Sequence, residues 1–526
     1  MSKISILDCT LRDGGYINQW RFGRTEIRDI ISHLCMAGID IIECGFLRDL
    51  PYSEDQSVFS CVSQITPFIT PKRENTLYVA MIALGDISPD KLLPCDGTSI
   101  DGIRLTFHKH EWQAAREAAV TLMNKGYRVF IQPVGTTSYS DSELLRLIAD
   151  VNELRPFAFY LVDTLGILYR KDLLRSFFLI DHNLDPAIKV GFHSHNNLQL
   201  SFANAQELLR ADSKRELIID ASVYGMGRGV GNLCSELLAE YINVNMEQRY
   251  HLTPLLTVAD QYLMSIYAEQ RWGYDIPYFL SAAKKCHPNY AAYLLKKGTL
   301  KLEDISKLLS MLPPDQRDLY HPELVEQLYM TLQSYQIDDT AALTALTEQL
   351  RGRRVLLLAP GAALKTHQAE IDAYILRCAP VTIAVNFIPQ QPRPDILFVS
   401  NRKRLQLLLE NGVGRYPVVA SSNLRQKLPD TVTFINYTSY LGDGEAADNA
   451  GAMLIRLLAK VGAAHVALAG FDGFAVDSAD NYCIDSYKAA MDQEAVKQKN
   501  RAISQQLKLA LQGIPYDFIT PTRYTF

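Results

Sequence analysis

Three short stretches hold the side chains best able to do chemistry. They are Asp8-Cys-Thr-Leu-Arg-Asp-Gly-Gly-Tyr16, Gly191-Phe-His-Ser-His-Asn-Asn197 and Gly225-Met-Gly-Arg-Gly-Val-Gly-Asn232. Residues two apart on an extended strand share a face, so His193 and His195 can address one ion together. Asp13 from the first stretch and Asn232 from the third can complete a mixed nitrogen–oxygen set. Such a set suits a divalent metal, Mn²⁺ foremost and Mg²⁺, Co²⁺ or Zn²⁺ as alternatives, and leaves positions open for substrate. A 2-oxo acid can fill two of these through its carboxylate and ketone oxygens. The ion then acts as a Lewis acid toward the enolate formed when the neighbouring C–C bond breaks. Arg12, always charged, adds a second positive group against that oxygen. Singly, a His-x-His strand is an ordinary structural feature, Arg-Asp-Gly is an ordinary turn, and Gly-x-Gly-Asn can simply cap a helix. Only the combination points to a metal centre.

The elements that must position these groups are legible from the periodicity. Apolar β-rich runs at Ser5–Cys9, Ile39–Gly45, Thr76–Ile82, Gly102–Phe107, Arg128–Pro133, Ala158–Val162, Lys189–His193 and Leu217–Val223 alternate with helical patterns such as Arg24–Ala37, Glu111–Lys125 and Ser140–Leu154. Eight such repeats with nearly continuous apolar strands predict a (β/α)8 TIM barrel over residues 1–244. Its active groups belong at the C-terminal ends of the strands, where all three stretches fall. Residues 245–345 read as a helical appendage. From 346 to 526 a second α/β pattern predicts a Rossmann-like domain, with strands at Val355–Leu358, Val381–Asn386, Asp395–Ser400, Pro417–Ala420, Thr431–Ile435 and His465–Ala469.

Composition narrows the class. The 526 residues exceed one ordinary core, and 48% hydrophobic with 21% charged residues is a globular balance. A net charge of −5 argues against a nucleic-acid surface. No apolar run approaches the roughly 20 residues that span a bilayer. The start Met1-Ser-Lys-Ile-Ser-Ile enters a strand without a signal-peptide pattern. Nine cysteines without CxxC pairs fit reduced thiols. The expectation is a cytoplasmic homo-oligomer with a small-molecule substrate, no nucleic acid and no membrane.

Asp8-x-Thr-Leu-Arg-Asp-Gly together with Gly-Phe-His-x-His-x-Asn-Leu resembles the DRE-TIM metallolyases, and within them the 4-hydroxy-2-oxovalerate aldolases, over roughly residues 4–290. The resemblance implies a metal-dependent aldolase in which Asp13, His193 and His195 ligate the ion and Asn232 is a possible fourth ligand. It also implies that Arg12 stabilises the enolate, that Glu43 in Ile-Ile-Glu-Cys-Gly-Phe supports the site, and that Tyr278 in Gly273-Tyr-Asp-Ile-Pro-Tyr278 is an active-site tyrosine. One position departs from the family: Tyr16 stands four residues after the arginine, where the aldolases carry their catalytic histidine. His108 is the alternative base, since Arg104, Thr106 and His108 alternate along the fourth strand and share a face. A solvated His108-Lys-His110 loop is the competing reading.

In the C-terminal region, Leu358-Ala-Pro-Gly-Ala-Ala-Leu364 joins a strand to a helix whose free N–H groups can hold a phosphate. Asp448-Asn-Ala-Gly451 and Ala469-Gly-Phe-Asp-Gly473 add polar groups near element ends. The domain resembles Rossmann-like domains of surface-glycan and pterin-related bacterial proteins. That implies a nucleotide or nucleotide-sugar ligand, with a structural or docking role as the rival. For the barrel, an aldolase acting on a 4-hydroxy-2-oxo acid leads. A Claisen-type acyl-CoA synthase or lyase, and a non-catalytic scaffold, are the alternatives.

Overall fold

The computed structural model describes residues 4–410, 412–428, 432–484, 487–488 and 491–526, the side chains of 426 and 427 excepted. Residues 1–3 of the expected first strand approach, and Thr431 of an expected later strand, lie outside it. The chain forms two compact units, Met1–Ala291 with Pro313–Tyr320, and Ala292–Leu312 with His321–Phe526. The predicted helical region is therefore shared between the two.

In the first unit the strands are β1 (Ile4–Asp8), β2 (Ile41–Leu47), β3 (Val58–Phe59), β4 (Leu77–Ala83), β5 (Gly102–Phe107), β6 (Arg128–Pro133), β7 (Ala158–Asp163), β8 (Lys189–Ser194) and β9 (Leu217–Ala221). They run in the order β1-β9-β8-β7-β6-β5-β4-β2, and β1 pairs with β2 to close an eight-stranded parallel barrel, with β3 added beside β2. Period-two alternation divides each strand. Ile103, Leu105, Val190, Phe192, Leu217 and Ile219 pack outward against the helical ring. Leu7, Ile41, Val79, Phe130, Tyr160 and Ile218 fill the interior. The same register sends Glu43, Arg104, His193 and Asp220 inward, and all four are buried. The helix Leu252–Val258 and Trp272 join the core outside the strands, so the beginning of the helical region completes this unit.

The second unit is a seven-stranded parallel sheet: β10 (Arg354–Leu358), β11 (Val381–Val385), β12 (Ile396–Val399), β13 (Val418–Ser421), β14 (Thr433–Ile435), β15 (His465–Ala469) and β16 (Tyr516–Phe518). The order β14-β13-β12-β11-β10-β15-β16, with one hydrophobic cluster on each face, is a doubly wound Rossmann-like sheet. Asp304 forms a buried ion pair with Arg402 at 3.1 Å, tying the helix Leu302–Ser310 to this sheet. All nine cysteines are free thiols. Among the described residues no helix is long and apolar enough to cross a membrane.

Candidate active site

The chain leaves β1 in a tight turn over Thr10–Gly14, in which the N–H groups of Arg12 and Asp13 both donate to the carbonyl of Cys9. Trp20 clamps the turn by donating its indole N–H to the carbonyl of Arg12 at 2.8 Å. Arg12 and Asp13 are thereby buried with fixed side chains. The guanidinium donates through Nη1 to Asp13 at 2.6 Å and through Nε to Glu43 at 2.8 Å, leaving Nη2 uncommitted among the described residues.

Across the barrel mouth, β8 presents His193 and, one residue beyond its end, His195. Their rings stand edge to face with centres 5.3 Å apart. Ligating atoms of Asp13, His193 and His195 all lie within 4.8 Å of one another. His193 Nδ1 lies 3.0 Å from Asp220 Oδ2 on β9. With Nδ1–H donating there, Nε2 keeps its lone pair for the cluster. His195 Nδ1 is buried with no hydrogen-bond partner and lies 4.0 Å from Asp13 Oδ2. Burial pushes the His195 imidazole down to about 3 against the pull of Asp13, so it is neutral and able to ligate. Burial works against ionisation of Asp13, but Arg12 and the two histidines hold its carboxyl well below the usual range. An ionised carboxylate, a neutral imidazole and an orphaned ring nitrogen together fit a divalent cation.

Asn232 belongs to the same group. It returns on the loop after β9, where its Nδ2 donates to Asp13 Oδ2 at 2.7 Å and its Oδ1 is buried without a partner. Gly227 makes this possible: a Cβ there would come within 2.4 Å of the Asn232 amide and 2.9 Å of the Asp13 carboxylate.

Behind these side chains lies a buried charge network. Arg104, fully excluded from solvent, donates to Glu43 at 2.6 Å and to Asp220, and its guanidinium sits 5.0 Å from the Tyr160 ring. Glu43 thus bridges Arg12 and Arg104, while Asp220 bridges Arg104 and His193.

The other expected residues sit differently. Tyr16 is 41% exposed, packed edge-on against Trp20 and Phe46. His108 is exposed just past β5. It starts a short turn in which its backbone N–H donates to Glu111 at 2.7 Å, and its ring stacks beside His110. No hydrogen bond or ring contact among the described residues joins Tyr16 or His108 to the cluster of Asp13, His193 and His195. Tyr278, on the helix Ile276–Ala283, packs against the loop after β9, where a Cβ on Gly229 would meet its ring at 2.7 Å. Arg228 in that loop was not singled out from the sequence. Its guanidinium lies 5.9 Å from the Tyr16 ring and no carboxylate pairs with it among the described residues. It also contributes to depressing the His195 imidazole. The signal for it was one charge in an otherwise glycine-rich, uncharged loop. Asp220 and Arg104 were likewise missed as partners of the site, although an aspartate inside the apolar run Leu217-Ile-Ile-Asp-Ala was a visible anomaly.

Comparison with known proteins places this geometry in context. Residues 105–261 match the HMGL-like family model. The chain is 29% identical over 279 residues to a 4-hydroxy-2-oxovalerate aldolase of Salinispora arenicola, covering 52% of this chain and 77% of the relative. It is 24% identical over 247 residues to an oxaloacetate decarboxylase of Mycobacterium tuberculosis, covering 47% of this chain and 71% of the relative. The crystal structure of the N-terminal domain of a proposed aldolase from Bacteroides vulgatus aligns at 26% identity with a TM-score of 0.49, covering 56% of this chain and 96% of the other. The N-terminal half is thus similar in sequence to the 4-hydroxy-2-oxovalerate aldolases, with the HMGL-like match over residues 105–261, in keeping with its resemblance to the DRE-TIM metallolyases.

Proposed function

We propose that residues 1–244 form a divalent-metal-dependent carbon–carbon lyase that cleaves a 4-hydroxy-2-oxo acid through a pyruvate-type enolate. In this reading residues 346–526 are a nucleotide- or nucleotide-sugar-binding domain, and the helices of residues 245–345 divide between the two units. The carrying observation is the cluster of Asp13, His193 and His195, with an orphaned His195 nitrogen beside the fixed guanidinium of Arg12. Asp13, His193, His195 and Asn232 would hold the ion, which supplies Lewis-acid charge when bound. Manganese suits this nitrogen–oxygen set, and nine free thiols suit a reducing cytoplasm.

The remaining steps belong to the chain's own residues. Arg12 offers its uncommitted Nη2 to the developing enolate oxygen and needs no reorganisation, because Asp13 and Glu43 already hold it. Glu43 keeps that arginine in place. Tyr16, Tyr278 and Arg228 line the approach, and Arg228 supplies a positive charge for a substrate carboxylate. The proton of the C4 hydroxyl leaves to His108, the imidazole just past β5.

A second reading, decarboxylation of a 2-oxo dicarboxylic acid, is favoured by one observation. Among the described residues no imidazole other than His193 and His195 contacts the cluster, and loss of CO₂ needs no base for a hydroxyl. The same barrel region is similar to an oxaloacetate decarboxylase. The test uses full-length protein stripped with chelator and reloaded with Mn²⁺. Exchange of pyruvate methyl protons in deuterated water, aldehyde release from 4-hydroxy-2-oxovalerate, CO₂ release from oxaloacetate and turnover of acyl-CoA thioesters are each followed. Metal-dependent exchange with aldehyde release is expected. CO₂ release alone selects the second reading, thioester turnover alone selects a Claisen-type enzyme, and no exchange with bound metal refutes enolate chemistry altogether.

A further inference from the structure

The second unit contains a large cavity that the barrel chemistry does not use. In its sheet β10 lies between β11 and β15: the chain leaves β10 on one side and returns for β15 on the other. Doubly wound sheets take ligands in the crevice outside the C-terminal strand ends at such a reversal. A cavity of about 1070 Å³ lies there, bounded by Gly361 after β10, Asn386 after β11, Ser400 after β12 and Gly470 after β15. That volume accommodates a ligand of cofactor size.

One wall of the cavity is a ladder of rings with a cation at each end. The Arg404 guanidinium carbon sits 3.4 Å from the centre of the Tyr487 ring. Tyr487 meets Tyr482 edge-on at 5.8 Å, and Tyr482 meets Phe474 edge-on at 5.8 Å. Lys499 Nζ then lies 4.0 Å from the Phe474 ring. The ladder is anchored because Tyr487 donates its hydroxyl to the carbonyl of Asn386 at 3.0 Å. Arg404, Lys499 and the neighbouring Lys403 have no carboxylate partner among the described residues. The lining carboxylates are otherwise engaged. Glu326 pairs with Lys297 at 2.8 Å and Glu445 with Lys296 at 3.3 Å, while Asp448 accepts from the hydroxyls of Tyr329 and Tyr437. Burial lowers the Lys499 ammonium and Arg404 lowers it further, as expected of like charges facing one space.

The turn after β10 was expected to offer helix N–H groups to a phosphate. Its Ala363 N–H instead donates to Asp472 at 2.7 Å, and the helix it starts has four residues. Side chains, not that helix end, therefore supply the positive field.

We propose that this cavity binds a nucleoside phosphate, with the phosphates against Arg404, Lys499 and Lys403 and the ring system along Tyr482. The proposal rests on the reading of residues 346–526 as a nucleotide-binding domain and gives that reading a location and a chemistry. Unpaired cations recognise phosphate, and an aromatic edge beside them recognises the base or sugar of the same molecule.

The experiment is calorimetric titration of the full chain with ADP, UDP and inorganic pyrophosphate, repeated on Lys499→Gln and Lys403→Gln. Both variants are first checked for an unchanged thermal melting curve. A nucleoside diphosphate should bind more tightly than pyrophosphate, and each variant should weaken it about tenfold, the size of one charged contact. Pyruvate proton exchange at the barrel should be unaffected. Absence of nucleotide binding to wild type overturns the domain reading itself. Wild-type binding that survives both substitutions overturns this cavity as the site while leaving the domain reading intact. Pyrophosphate binding as tightly as either nucleotide overturns the ring half of the proposal. Should the Lys499 variant melt differently, Lys403→Gln alone decides, because Lys403 is exposed and lies outside the ring ladder.

Discussion

Replacing Asp220 by asparagine should weaken metal binding without removing a ligand. Asp220 is 3% exposed and accepts two charged or polarised donors, His193 Nδ1–H at 3.0 Å and a guanidinium N–H of Arg104. Asparagine has nearly the same shape but only one acceptor oxygen and no charge. Turned toward Arg104 it presents an N–H to His193, and turned toward His193 it presents one to Arg104. Either way the imidazole loses an anionic partner that orients it and raises its basicity. Partners of this kind contribute about 10–100-fold to metal affinity, or roughly 1.4–2.7 kcal/mol. Stability should fall less than the 3–5 kcal/mol typical of breaking a buried pair, because Glu43 still neutralises Arg104 at 2.6 Å. Competition of Mn²⁺ between the apoprotein and a fluorescent chelator measures the affinity, and pyruvate proton exchange at saturating Mn²⁺ shows whether turnover returns. An Asp220→Asn affinity within about threefold of wild type, while His193→Ala loses the ion, would refute the argument that Asp220 orients the ligand.

Three further outcomes follow from the same geometry. With His108 as base, His108→Asn should lower aldol cleavage by about 10²–10⁴ while pyruvate exchange partly survives, and Tyr16→Phe should mainly raise KM. A dead Tyr16→Phe beside an active His108→Asn, in a coupled aldehyde assay, reverses the roles. Arg228→Gln should raise KM for the 2-oxo acid about tenfold or more with a smaller change in kcat, since the charge it offers is met by ground state and transition state alike. Equal KM values by initial-rate kinetics remove it from substrate recognition. Burial raises the Asp8 carboxyl from 3.8 to about 6 despite bonds from Ser235 and Thr10, so folding holds its proton more tightly than the unfolded chain does. The associated stability is fully present below the unfolded value and is lost as pH rises through the folded one, about 3 kcal/mol in all. Asp8→Asn keeps Ser235 as a partner and lacks this titration. Urea unfolding should therefore show the variant gaining on wild type between about pH 4 and about pH 8, and a flat difference contradicts the assignment.

The barrel was legible because its strands are apolar on both faces and helices of regular period separate them. All eight barrel strands fall within two residues of the expected limits. The strands that escaped are β3, two residues long, and β16, whose Tyr-Asp-Phe has no apolar run. Glycine spacing and strand-end position made Asp13, His193, His195 and Asn232 visible, and the structure brings these four together. The supporting charges were not visible because period-two alternation gives a direction but no partner. Arg104 was expected to share a face with His108 toward the mouth. It instead turns into the barrel between Glu43 and Asp220, while His108 lies beyond the strand, where alternation no longer governs direction. The helical region was also read as one piece, since amphipathic spacing does not say which of two cores a helix serves. Asp304, an acidic residue in the first turn of its helix, serves the second core by pairing with Arg402.

The charge balance of the site bears on which substrate it can turn over. Among the contacting buried groups three carboxylates, Asp13, Glu43 and Asp220, face two guanidiniums, Arg12 and Arg104. Arg228, without a carboxylate partner, brings the guanidiniums level with the carboxylates. With both imidazoles neutral as ligands, the protein side of the site is then uncharged, and a divalent ion leaves two positive charges to be met. A buried excess of that size is costly unless ligand supplies the counter-charge. A neutral aldehyde or alcohol cannot supply it and a 2-oxo monocarboxylate supplies half. The enolate of that acid carries two negative charges and supplies all of it. Under the proposed function the site would therefore be more complementary to the enolate than to the acid that binds first, which is the condition for catalysis rather than storage. It also separates the two readings of the reaction. A 2-oxo dicarboxylate is already doubly charged on arrival, so it should bind more tightly than a 4-hydroxy-2-oxo acid while gaining less on the way to the transition state. Inhibition constants for a dicarboxylate and a monocarboxylate analogue, compared with their rates, measure that difference, and removing the Arg228 charge should erase the dicarboxylate's advantage.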